Sequence, residues 1–382
     1  MRGGAKNKVE KERRSYYNDK VPEKGNIQED NEMKKFFAMM LAVLLLVGCF
    51  AACTKNNGQQ GDAETPEPVD PGTQNTPAPE SGAVTVVIVV AGQFGDRSFY
   101  DSSKAGGDAL AKDFSNVEVK TIECNNENHE VQMRNAADVA NIVVCVGWEF
   151  YDIETVAPEY PNVDFIWIDN ATSAPVANVL NITYAQNEGS FLAGYIAAAM
   201  STTGVVGAVG GEDSDTINDF IVGYEQGAKY RNEAFKVEYN YTNDYDDPAK
   251  GKECAKALHD KGADVIFQIA SKAGDGVFES AQEGNFYAIG VDSDQKYINP
   301  DVIICSMKKE VGNSIYDAIA KIVKGDASQL GTTWVADMSN GYVGIGYGDL
   351  GAPQQIGSEL KAEVEDLVNK ITSGEIKVNT TR

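Results

Sequence analysis

The sequence predicts an α/β fold of two similar lobes, each a doubly wound parallel sheet, joined by three chain crossings. Three observations carry this. Short apolar runs recur with almost no polar alternation, as strands buried on both faces require. Amphipathic helical stretches separate them, which is the β-α-β pattern of a parallel sheet. The whole set then occurs twice, at similar length, within 382 residues of which 42% are hydrophobic and 24% charged.

In the first set, residues 84–91, 117–122, 142–146 and 165–168 are the expected strands, with helices over 98–114 and 130–139. The second set has strands at 205–209, 237–241, 265–269 and 287–291, with helices near 216–231, 248–261 and 274–283. Residues 178–187 are the first expected crossing between lobes. Two further apolar segments, 302–306 and 333–336, bracket a helix over 308–324, and a last helix covers 358–372. These spans give an N-terminal lobe of 83–182 plus 306–332 and a C-terminal lobe of 183–305 plus 333–382.

Ahead of the lobes the chain carries an address. Met33-Lys34-Lys35 precedes an apolar run over 36–47, too short to span a bilayer and suited to the h-region of a signal peptide. Two cysteines follow small residues, in Leu46-Val47-Gly48-Cys49 and Phe50-Ala51-Ala52-Cys53. Both are similar to the lipobox of bacterial lipoproteins. Cys53 is the expected lipidation site because the polar tether starts directly after it; Cys49 is the alternative. Residues 1–32 are polar and aperiodic, so Met33 is the expected start and 1–32 an upstream extension. Residues 54–82 hold Gly, Gln, Asn, Thr, Pro and Glu with few apolar side chains, the composition of a disordered tether. The formal net charge of −24 argues against nucleic acid or anionic lipid as a partner of the folded part.

In open parallel sheets, ligands bind beyond the carboxyl ends of the strands. Those ends read Gly92-Gln93-Phe94-Gly95-Asp96, Gly147-Trp148-Glu149, Asp169-Asn170, Gly210-Gly211-Glu212, Ser271-Lys272-Ala273-Gly274 and Asp292-Ser293-Asp294. Two apolar runs stop abruptly at a carboxylate, Asp169 and Asp292. A carboxylate there can accept hydrogen bonds from two vicinal hydroxyls, as a ribose offers, or can simply cap the following helix. Phe99 beside the first loop, and Trp148 after the third run, suit stacking on a planar base or ordinary core packing.

Enzymatic chemistry is poorly supplied. The two histidines, His129 and His259, lie far apart in polar contexts, so a zinc site or a Ser-His-Asp triad lacks its parts. Ser306-Met307-Lys308-Lys309 matches the short S-x-x-K pattern of penicillin-interacting enzymes without the accompanying K-T-G. The glycines at 204, 207, 210 and 211 lack dinucleotide-binding spacing, and there is no P-loop. The sequence therefore predicts neither catalysis, nor a metal, nor a cofactor.

The block Asn187-Glu188-Gly189-Ser190-Phe191-Leu192-Ala193-Gly194 resembles the basic membrane protein family of ABC-transporter substrate-binding lipoproteins, whose members include purine-nucleoside-binding proteins. The resemblance continues through Val209-Gly210-Gly211, Gly227-Ala228-Lys229-Tyr230, Asp264-Val265-Ile266-Phe267-Gln268, Ile289-Gly290-Val291-Asp292-Ser293-Asp294-Gln295 and Ser306-Met307-Lys308-Lys309. It implies a type I periplasmic-binding-protein fold with a three-segment hinge, closing on a nucleoside. By the same resemblance, Asp96 and Phe99 belong to the first binding loop, with Phe99 on the base. Asp292 then holds ribose hydroxyls with Lys309 nearby, and Asp169 follows the fourth strand. The chain departs from the family at Tyr100, at Ser271-Lys272 and in the Gly-Trp-Glu stretch around Trp148; Tyr100 and Ser271-Lys272 are expected to reshape the base pocket or add a charge contact. The implied partners are a small-molecule ligand and a membrane ABC permease, with a monomeric protein lipid-anchored on the extracytoplasmic face of the cell membrane. The alternatives are a sensor of the same fold signalling to a membrane receptor or kinase, or an importer component for a non-nucleoside solute.

Overall fold

The computed structural model describes residues 82–349 and 351–380. The expected extension, signal peptide and lipidated cysteine, and the tether up to residue 81, lie outside the described residues. Five strands open the first lobe: β1 (Val84–Val90), β2 (Val117–Glu123), β3 (Ile142–Val146), β4 (Asp164–Ile168) and β5 (Val179–Tyr184). Helices α1 (Phe99–Asp113), α2 (His129–Ala137) and the single turn α3 (Ile153–Val156) connect them. The chain then crosses and repeats the plan with α4 (Gln186–Met200), β6 (Val205–Gly210), α5 (Asp215–Arg231), β7 (Lys236–Tyr241), α6 (Pro248–Asp260), β8 (Val265–Ile269), α7 (Asp275–Gly284), β9 (Tyr287–Asp292) and β10 (Ile303–Lys309). It ends with α8 (Val311–Val323), β11 (Thr333–Ala336), β12 (Val343–Gly346) and α9 (Ser358–Thr372).

The first sheet runs β11-β5-β4-β3-β1-β2 and is wholly parallel. The second runs β12-β10-β9-β8-β6-β7, parallel except for the antiparallel edge strand β12. In both, the strand order reverses around the first strand of the lobe, which opens a crevice at the carboxyl ends. Burial explains the unbroken apolar runs. In β1, Val86, Ile88 and Val90 face one core cluster while Val87 and Val89 face another, and all five are essentially inaccessible. A strand with a core on each side has no reason to alternate. Each such side chain contributes roughly 1.5–3 kcal/mol relative to exposure.

Three findings correct the boundaries expected from sequence. Residues 306–309 extend β10 in the second sheet instead of opening the helix, because Ser306, Met307 and Lys309 are buried there and pair with β9 and β12. Thr333–Ala336 pairs with Asn181–Tyr184 of β5, so it belongs to the first sheet and not to the C-terminal lobe. The expected crossing at 178–187 is mostly a strand, β5, with the crossing itself at Ala185.

The chain passes between lobes at Ala185, at Glu310 and over 337–342, and the three passages lie side by side. The Ala185 amide donates to the Ala336 carbonyl (3.0 Å), and the Glu310 amide donates to the Tyr342 carbonyl (2.8 Å). Beyond the hinge, α4 and α5 pack backbone to backbone. A Cβ added at Gly227 would meet the carbonyl of Phe191, and one at Gly194 the carbonyl of Tyr224. Glycine is what permits that approach, and it seats the second lobe's first helix directly against the hinge.

Candidate functional site

The carboxyl ends of the two sheets face each other across a cleft with an empty volume of about 630 Å³, its mouth included. One wall comes from the first lobe: Phe99 at the start of α1, Trp148 and Glu149 after β3, and Asp169 after β4. The other comes from the second lobe: Phe220 on α5, Tyr245 after β7, Ser271 after β8 and Asp292 at the end of β9. Aromatic faces thus dominate an opening into which a few carboxylates and one lysine converge, the usual make-up of a small-molecule site.

Lys309, 1% exposed, sits at the end of β10 and bonds Oδ1 of Asp169 through Nζ at 2.5 Å. The same ammonium lies 5.1 Å from the Phe99 ring centre, 4.7 Å from Tyr184 and 5.4 Å from Phe220. These rings shield the ion pair from water and add cation–π attraction. Asp292 is buried and its Oδ2 accepts the Ser98 hydroxyl at 2.6 Å. Burial pushes its carboxyl up to about 6, against the opposing pull of Lys309 and the Ser98 bond. Both aspartates adopt left-handed backbone, φ 75° at Asp169 and 61° at Asp292, and Ser271 does so at 49°. Three non-glycine residues in that region around one cleft are the kind of local strain found at functional sites.

Of the residues singled out from sequence, Phe99, Trp148, Asp169, Ser271, Asp292 and Lys309 all line this cleft. Asp96 stands behind it. Its carboxylate accepts the backbone amides of Ser98 (3.1 Å), Tyr100 (3.0 Å) and Asp101 (3.0 Å), and the Ser271 hydroxyl (3.0 Å). It therefore caps α1 and ties the first loop to the opposite lobe. Burial shifts it upward, while the three amides oppose that shift.

Sequence reasoning did not single out Glu149, Phe220, Tyr245 or Ser98. Glu149 and Tyr245 follow strand ends, so the crevice rule had the signal to find them. Phe220 lies in mid-helix, so no sequence pattern marks it, whereas Ser98 stands between Asp96 and Phe99 in the first-loop segment Asp96-Arg97-Ser98-Phe99. The S-x-x-K match dissolves in three dimensions. Ser306 and Lys309 sit three apart on one strand, hence on opposite faces, and the Ser306 hydroxyl accepts the Gln295 amide at 2.9 Å. Among the described residues no cluster of side chains suits a metal ion, no helix is long and apolar enough to cross a membrane, and Cys124, Cys145, Cys254 and Cys305 are free.

The lobes are closed on one another. Besides the Asp169–Lys309 pair, Arg97 pairs with Asp275, Gln295 donates to the Arg97 carbonyl (3.2 Å) and Asn126 donates to Asp246 (3.1 Å). All bridge the two sheets at the cleft.

Comparison with known proteins agrees with this architecture. The family described as ABC transporter substrate-binding protein PnrA-like, or Bmp, matches residues 83–382. The chain belongs to that family. It is 32% identical over 305 residues to Basic membrane protein A2 of Borrelia garinii subsp. bavariensis, covering 78% of this chain and 89% of the relative. An ABC transporter solute-binding protein from Aeropyrum pernix superposes with a TM-score of 0.68 at 26% identity, covering 78% of this chain and 94% of that one. A second, from Conexibacter woesei, gives 0.63 at 25% identity, covering 78% and 99%. Membership in this family of substrate-binding proteins implies a small-molecule ligand and a permease partner, and the fold is the periplasmic-binding one. In that setting the paired lobes and hinge read as a clamp that closes on its ligand.

Proposed function

We propose that this substrate-binding protein carries a purine nucleoside to an ABC permease, held to the outer face of the cell membrane by a lipid on Cys53 or Cys49. The observation that carries the ligand reading is the juxtaposition of Asp292 with the Lys309–Asp169 pair beneath aromatic rings from both lobes. A base needs flat apolar faces, which Phe99, Trp148, Phe220 and Tyr245 offer. A ribose needs buried acceptors for vicinal hydroxyls and a donor for its oxygens, which Asp292 and Lys309 offer. Charge favours a nucleoside over a nucleotide. Asp169 and Asp292 outnumber the one lysine in the cleft wall, so a phosphate would meet net repulsion at low dielectric. Tyr100 and Ser271, where the chain departs from its family, stand at or beside the base faces and suit a role in ligand preference.

The test is a calorimetric screen of the purified protein against nucleosides, free bases, nucleotides, sugars and amino acids. Binding of a nucleoside, with loss of affinity for its 2′,3′-dideoxy form, supports the reading. A response to another solute class, with none to nucleosides, overturns the ligand and leaves the transport class standing.

A further inference from the structure

Glu149 is a polar side chain of the cleft wall whose carboxyl accepts a hydrogen bond only from its own backbone amide. Asp96, Asp169 and Asp292 all have hydrogen-bond or ion-pair partners, whereas the Glu149 carboxyl makes no hydrogen bond to another described side chain. Its Oε2 is sealed from solvent and has no partner among the described residues. The seat is built for it. Gly147 holds φ at 128°, and a Cβ there would collide with the Glu149 carboxyl, so glycine is required for the side chain to lie where it does.

The groups facing it come from every neighbouring element. Tyr100 stands on α1, Cys124 after β2, Asp169 after β4, Glu212 after β6 and Tyr245 after β7. None is a cation, and Lys309 is committed to Asp169. A lone carboxylate in such company is unfavourable, and an apolar side chain would fill the same wall without penalty. A group kept there at a cost to the empty protein is a group waiting for a ligand.

We propose that Glu149 selects the heterocycle of the ligand: as the acid, it donates its O–H to a ring nitrogen and accepts from the adjacent amino group, the edge a 6-aminopurine presents. The inference rests on the nucleoside reading and goes beyond it in naming the residue and the edge. Its electrostatics agree: burial first, then Glu212 and Asp169, push the carboxyl up to about 7 against the opposing bond from its own backbone amide. The acid form is therefore well populated at neutral pH and is lost above it. Asp292, pushed up to about 6, must be ionised to accept from a ribose. Adenosine affinity then passes through a maximum between the two, rising through about 6 and falling above about 7.

The experiment is calorimetry with adenosine from pH 5 to 9 on the wild-type protein, Glu149→Gln and Glu149→Leu, with melting curves to confirm folding. Above the maximum, wild-type affinity should fall about tenfold per pH unit, as the acid fraction does. Glutamine also donates and accepts, so E149Q should keep adenosine binding and abolish the alkaline fall. Leucine should lose about 10- to 100-fold at pH 6, and the acid limb set by Asp292 should persist in all three. An alkaline limb unchanged in E149Q, or undiminished affinity in a folded E149L, overturns the assignment while leaving the nucleoside reading intact. Silence of the wild-type protein toward every nucleoside overturns both.

Discussion

Replacing Asp292 with alanine tests the centre of the site. In the nucleoside reading its carboxylate accepts from two hydroxyls, each a charge-assisted hydrogen bond contributing about 1.5–3 kcal/mol. Loss of both amounts to about 3–6 kcal/mol, or roughly 10²- to 10⁴-fold in Kd. Two structural side effects must be separated from that loss. Alanine is strained at the φ of 61° this position holds, and the Ser98 hydroxyl loses its partner across the cleft. Asp292→Asn answers the first, since asparagine tolerates left-handed backbone; it keeps one neutral acceptor and should weaken binding by an intermediate amount. Ser98→Ala answers the second: it removes the bridge between lobes but no proposed ligand contact, and should cost about tenfold or less. Calorimetry with the nucleoside found in the screen, at pH 7.5 where Asp292 is ionised, reads all three. Affinity in Asp292→Ala within a factor of three of wild type would refute the reasoning.

Four further outcomes follow from the same geometry. Lys309→Met leaves Asp169 and Asp292 without their buried cation and should destabilise the protein by about 3–5 kcal/mol at pH 8 in urea unfolding. The deficit should shrink at pH 5, where Asp292 can protonate. Gly227→Ala forces α5 off the Phe191 carbonyl and should cost about 1–3 kcal/mol by overpacking, read as a lower Tm with ligand preference unchanged. Arg97→Ala removes a partly exposed ion pair with Asp275 across the closed cleft; scattering should show a larger radius of gyration without ligand, with little change in stability. Finally, Asp219 and Asp292 are held up to about 6 and Glu149 to about 7, all above their unfolded values. The folded state therefore binds these protons more tightly, and their contribution to stability, full below about 4, is lost as pH rises through 7. The Tm of the ligand-free protein should fall between pH 5 and 8, and less steeply in Glu149→Gln.

Much of this site was legible because parallel sheets give strand ends a fixed meaning. Once a run such as 287–291 reads as a strand buried on both faces, the carboxylate after it must lie at the crevice, and Asp169 and Asp292 do. Other elements left no such trace. The α4 helix is buried around nearly its whole circumference, from Gln186 to Ala198, so it carries no amphipathic period to read. The short β5 interrupts its apolar run with Asn181, whose amide is satisfied by Thr172 and Thr333 only once the sheet is built.

Pattern and charge along the chain thus determined the α/β class, the duplication into two lobes and the cluster of strand ends that forms the cleft. All of these are local, because periodicity and turn chemistry act over a few residues. The tertiary structure decided which groups face each other. It joined Lys309 to Asp169, 140 residues away, and set the Asp96 carboxylate as the cap of α1. It also placed β11 in the first sheet and left Oε2 of Glu149 sealed from solvent, without a partner among the described residues. Such pairings depend on where distant segments meet in space and on which polar groups water can no longer reach, and neither is encoded at any one place in the chain.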